Sequence, residues 1–102
     1  MEILTDGSTL VLSGDFDVRS TLEVRTAIYD LLEGSDRDVV IDMTDVTNID
    51  ITAIRVLAVA TRQAVRAGRR LTLRGCCPSV RRLMHIAHLA RSVDMERRIA
   101  TA

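Results

Sequence analysis

The segment Asp38-Val39-Val40-Ile41-Asp42-Met43 constrains the fold most. It is a short continuous apolar run bounded by acids, which is the pattern of a central strand covered on at least one face by helices. The segments on either side of it have a helical period. Ser20-Thr21-Leu22-Glu23 has the spacing of a capping box, and Val24, Ala27, Ile28 and Leu31 follow at helical intervals, which predicts an amphipathic helix ending near Gly34. Between Thr52 and Ala67 the positions Ala53, Val56, Leu57, Ala60, Ala64 and Ala67 share one helical face, and Gly68 supplies the stop.

The remaining signals complete an alternating pattern. Glu2-Ile3-Leu4, the turn Asp6-Gly7-Ser8 and Thr9-Leu10-Val11-Leu12-Ser13 predict an opening hairpin. Leu71-Thr72-Leu73 reads as a further strand. Pro78 opens a third helix with Val80, Leu83, Met84 and Ala87 inward, and a short strand and a helical turn are expected after Arg91. No linker, repeat or low-complexity stretch interrupts the chain. Residues 1–102 are therefore expected to form one α/β domain with a mixed sheet of four to five strands and helices packed on it.

Composition narrows the function. Fourteen basic and fourteen acidic residues leave no net charge to draw the chain toward a phosphate polymer. With one Phe, one Tyr and no Trp, the chain also lacks the aromatic platforms on which nucleic-acid binders stack bases. No apolar run approaches the ~20 residues of a membrane span, and the first residues lack a leader pattern, so a soluble, cytoplasmic protein is expected. The adjacent Cys76 and Cys77 could pair with each other only through a strained ring and read as small buried or half-buried thiols. His85 and His88 lie three apart without an acid or thiol at a supporting spacing, so no metal is expected. Asp42 and Asp45 read as strand-end and turn residues without a partner nucleophile or base. No catalytic triad order or nucleotide loop is present, and neither an enzyme nor a cofactor is expected.

In this order and spacing, four segments resemble the STAS domain, the family of sulfate transporters and anti-sigma-factor antagonists. Gly14-Asp15-Phe16-Asp17 resembles its Gly-Glu-Leu-Asp, and Val39-Val40-Ile41-Asp42-Met43 resembles its central strand. Val46-Thr47-Asn48-Ile49-Asp50 resembles the approach to its signature helix, and Cys77-Pro78-Ser79-Val80-Arg81-Arg82-Leu83 resembles the entry to its third helix. The resemblance implies a bacterial regulator that binds an anti-sigma factor which is also a protein kinase. In the family that kinase phosphorylates a Ser or Thr directly after the acid matched here by Asp50. This sequence reads Asp50-Ile51-Thr52-Ala53-Ile54, so the acceptor position holds Ile51, which has no hydroxyl.

A phosphate at a helix start is well tolerated, because free N–H groups and partial positive charge meet it there. Thr52, the nearest hydroxyl, is either a displaced acceptor or a local capping residue. Asp50 reads as an N-cap, as a partner-binding acid, or as both, and Asp17 either contacts a partner or closes its loop. Ile51, Ile54 and Ala58, beside Arg55, form either an exposed apolar strip suited to docking or part of a wider core stripe. The expected partner surface is therefore Asp17, Asp50, Ile51, Thr52, Ile54 and Arg55, with no nucleic acid and no membrane insertion. Two other roles remain open: an accessory or scaffold subunit of a transporter ATPase or stress-signalling complex, and a small-ligand or nucleotide module with fold analogy alone behind it.

Overall fold

A computed structural model describes residues 1–86 and 94–95. Strands β1 (Glu2–Asp6) and β2 (Thr9–Phe16) form the expected hairpin, closed between the paired residues Asp6 and Thr9 by Gly7 in the left-handed region at φ 60°. Helix α1 (Thr21–Gly34), strand β3 (Val39–Ile49), helix α2 (Ile51–Arg66), strand β4 (Leu71–Arg74), helix α3 (Pro78–Ile86) and strand β5 (Asp94–Met95) follow. The sheet order is β1-β2-β3-β4-β5, with β1 antiparallel to β2 and every later pair parallel. This is the mixed α/β sheet the sequence predicts.

One core joins all the layers. Leu10 and Leu12 of β2, Ile41 and Met43 of β3, and Leu71 and Leu73 of β4 turn to the helices and meet Val24 and Ile28 of α1, Leu57 of α2, and Val80 and Met84 of α3. The alternate residues of the same strands, among them Val11, Val40 and Thr72, lie on the opposite face and stay half-buried. The small residues Ala53, Ala60 and Ala64 let the backbone of α2 sit close on the sheet.

Three local expectations change. The capping box does not form. The chain already turns before Ser20, whose N–H donates to the Asp17 carbonyl and whose backbone is helical (φ −104°, ψ −7°), so it lacks the extended geometry a side-chain cap needs. Its hydroxyl donates instead to the Asp15 carbonyl at 3.3 Å. Strand β3 runs six residues beyond Met43, so Asp42 and Asp45 lie inside a strand and not at its end or in a turn. It gains a residue on β2 twice, between the pairs Val11–Asp42 and Ser13–Asp45 and again between Gly14–Val46 and Asp15–Asn48. The first bulge is held by the Asp42 carboxylate, which accepts from the Thr44 N–H at 2.9 Å and the Thr44 hydroxyl at 2.6 Å.

On α2 the buried face is wider than predicted. Ile54, Ala58 and Thr61 are buried, while Val56 is half-buried and Ala67 exposed. The wider-stripe reading holds, and Ile54 and Ala58 do not form an exposed strip. At the α1 C-terminus, which falls at Gly34 as expected, the Arg69 guanidinium reaches back to donate to the Leu32 and Ser35 carbonyls and binds the end of α1 to the chain after α2. No sequence pattern pointed to this clasp.

Cys76 is buried, Cys77 half-buried, and both are free; burial pushes the Cys76 thiol up to about 11. Among the described residues no helix is long and apolar enough to cross a membrane, and no group of three metal-ligating side chains comes together. Ala87, His88 and the helical turn expected near the C-terminus lie outside the described residues.

Candidate functional site

The parallel strands β2 and β3 end side by side, and the helices that follow them begin there. Asp50, the residue between β3 and α2, connects the two. Its N–H donates to the Phe16 carbonyl at 3.3 Å, and its own carbonyl accepts from the Ile54 N–H at 3.1 Å. One carboxylate oxygen accepts from the Ala53 N–H at 2.8 Å, which makes Asp50 the N-cap of α2. The other accepts from the Val18 N–H at 3.0 Å, so the same side chain holds the loop that leads from β2 into α1. A single carboxylate therefore sets the position of two helix starts relative to each other.

Asp17 closes that loop locally. Its carboxylate receives the Arg19 N–H at 2.9 Å, the Arg19 Nε at 3.2 Å and a guanidinium nitrogen at 2.6 Å. These bonds from Arg19 hold the Asp17 carboxyl below its ordinary value and raise Arg19 in return. Neighbouring Asp15 accepts from the Asn48 amide at 3.0 Å and the Thr47 hydroxyl at 3.1 Å across the strand pair, and its carboxyl is lowered too, mainly by Asn48. An open polar hollow of about 540 Å³ lies beside these residues, lined by Met1, Gly14, Asp15, Arg19, Ser20 and Glu23.

The structure brings Asp17, Asp50, Ile51, Thr52 and Arg55 to one end of the molecule. Ile51 is 40% exposed, and Thr52 and Arg55 are exposed on the first turns of α2. Ile54 is the exception and must be withdrawn from the surface: it is 0% exposed, pointing into the core. The apolar surface here comes instead from Val18 (62% exposed) and Leu22 (72%), together with Ile51. Periodicity missed Val18 and Leu22 because a loop residue and a first-turn residue carry no core signal. Thr47 and Asn48 stand in the stretch that leads to α2, but their bonds to Asp15 depend on the bulged register of β2 on β3, and Arg19, bonded to Asp17 two residues before it, belonged to no motif.

Replacing Asp50 by alanine is expected to cost about 0.5–2 kcal/mol through loss of the cap. It should also free the Val18 N–H, which hydrogen exchange would detect as faster exchange at Val18 and Ala53. Asp50→Asn, which keeps an acceptor oxygen, should retain the Ala53 protection.

A family model described as "Mlab, STAS domain" matches residues 2–97. No curated protein sequence matches the chain. Among solved structures, an anti-sigma factor antagonist from Mycobacterium paratuberculosis is 18% identical and superposes with a TM-score of 0.75 over 96% of this chain and 85% of its own. The anti-sigma factor antagonist SpoIIAA of Bacillus, in its unphosphorylated form, is 15% identical with a TM-score of 0.69 over 95% of this chain and 87% of its own. Part of the murine anion transporter Slc26a9 is 15% identical and superposes with a TM-score of 0.66, over 76% of this chain and 13% of that longer one.

Proposed function

From the premise that this chain belongs to the STAS domain family, we propose that it is an anti-sigma-factor-antagonist-like regulator that works by binding a protein partner. The partner is an anti-sigma factor of the kinase type, and the docking surface is Asp17, Asp50, Ile51, Thr52 and Arg55 with the exposed Val18 and Leu22. The observation that carries this reading is the Asp50 carboxylate, which bonds to both the Val18 and the Ala53 N–H and so presents a loop and a helix start as one preorganised surface. The surface has the usual makeup of a docking patch, a few apolar side chains rimmed by charge.

At the position where the family resemblance places a phosphoacceptor stands Ile51, so binding is constitutive or is set by abundance. A phosphate in the first turn of α2 would add close to two negative charges to the docking surface. Thr52, exposed in that turn, is the nearest hydroxyl that could carry it.

A second reading, an accessory or scaffold subunit of a transporter ATPase or stress-signalling complex, is favoured by two observations. The matching family model is described by MlaB and not by an antagonist, and Ile51 has no hydroxyl. Affinity capture of the tagged chain from its host, beside the variant Ile51→Glu, separates the two. A kinase-type anti-sigma factor captured by the parent chain and lost with Ile51→Glu is the expected result. Transporter subunits in its place would retire the antagonist role, and an intact mass with one phosphate on Thr52 would overturn constitutive binding.

A further inference from the structure

The neutral chain is strongly polarised along its sequence. Residues 1–50 hold twelve acids and three arginines, whereas residues 51–102 hold eleven arginines and two acids. Because the strands lie in the sheet in chain order, this division becomes one between neighbouring parts of the surface, and it is sharpest on the two helices that pack against each other, α1 and α2.

On α1 the exposed Glu23, Asp30 and Glu33 fall within about 80° of one another at 100° per residue, on the side away from the buried Val24 and Ile28. On α2 the exposed Arg55, Arg62 and Arg66 fall within about 40°, with exposed Val59 among them and the buried Leu57 and Ala64 opposite. Each helix connects two parallel strands, so both run the same way, and the Val18–Asp50 bond holds their starts together. At 1.5 Å per residue the acids are spaced by about 10 and 4 Å and the arginines by about 10 and 6 Å, in the same direction. Among the described residues no ion pair joins the two rows.

We infer that the chain self-associates through this face as a two-fold dimer whose axis runs parallel to the helices. That operation lays α1 of each copy along α2 of the other in parallel, and sets Glu23, Asp30 and Glu33 opposite the partner's Arg55, Arg62 and Arg66. The other two-fold axis in the same plane would lay α1 on α1 and acid on acid, so the charge pattern selects one arrangement. A polyanion fits less well, because a row of three carboxylates lies about 10 Å from the basic row, within one Debye length at moderate salt. The two helices present a footprint of roughly 500 Å², about 24 Å by 20 Å, at the small end for a specific contact. The dimer is therefore weak and salt-dependent. The inference stands apart from the antagonist reading, although Arg55 belongs to both surfaces and the two contacts exclude each other.

Sedimentation velocity of the full chain tests it. Dimer is expected near 0.01 M salt and monomer near 1 M, where the screening length falls from about 30 to about 3 Å. Asp30→Arg and Arg62→Glu, each checked for folding by circular dichroism, should be monomeric alone at low salt. Mixing the two, or combining both changes in one chain, should restore the dimer, since each contact again joins opposite charges. A monomer at low salt, a dimer that survives both single reversals, or a failure of the combination to restore association would each overturn the inference. Binding of heparin by a monomeric parent chain, lost with Arg62→Glu, would do the same and assign the basic row to a polyanion.

Discussion

Replacing Gly75 by alanine is expected to destabilise the fold by about 2–5 kcal/mol, a large part of the 5–15 kcal/mol typical of a whole domain. Two costs combine. Gly75 sits at φ 73°, where an L side chain is strained by about 1–2 kcal/mol. An added Cβ would also lie 2.2 Å from the Thr44 hydroxyl oxygen and 3.2 Å from both its Cα and Cβ. The backbone atom cannot move aside, because Thr44 sits in the β3 bulge that Asp42 holds. Thermal unfolding should register a fall in Tm on the order of 10–20 °C. Thr44→Ala should be less damaging in the Gly75→Ala background than in the parent, since it removes the worst contact, and a double-mutant cycle would read that coupling. Equal costs of Thr44→Ala in both backgrounds would mean that the loop after β4 does not press on the bulge.

Two isoleucines three residues apart should behave as opposites. Ile54→Ala opens a cavity in the core and is expected to cost about 2–5 kcal/mol, whereas Ile51→Ala, on a side chain 40% exposed, should stay within about 0.5 kcal/mol. On partner affinity the order reverses, with Ile51→Ala weakening capture and any loss from Ile54→Ala following its stability. Chemical denaturation with unchanged m-values would measure the first pair of numbers. A small effect of Ile54→Ala would return that residue to the docking surface.

The same pair shows where sequence reasoning reaches its limit. A helix that rests on a sheet alone buries one narrow stripe, and the alanines of α2 mark that stripe by period. Helix α2 also packs against α1, so a second flank carrying Ile54 and Ala58 is buried, and periodicity cannot tell that flank from an apolar surface. The central strand was legible from Asp38 to Met43 because a short apolar run bounded by acids marks it there. Its second half was not, since each bulge adds a residue and shifts the inward positions.

At the site, Asp50 was legible as an N-cap because capping is local. Its bond to Val18, 32 residues away, was not. The Asp15–Asn48 and Asp15–Thr47 bonds likewise require the register of two strands to be known first. Ser20-x-x-Glu23 misled for the converse reason: the motif assumes an extended entry, and the Asp17–Ser20 turn supplies a helical one.

The order of the strands also governs how the chain is made. Every strand from β2 onward pairs with the one that precedes it in sequence, so nothing made early must wait for a distant segment made late. Of these elements the hairpin of β1 and β2 is made before the rest, and each strand that follows has its neighbour in the sheet made just before it. Loop-closure costs stay small at each step, and the edge open to wrong pairing is replaced as synthesis proceeds. Vectorial growth of this kind gives a parallel sheet, ordinarily slow to assemble, a short path to its native pairing.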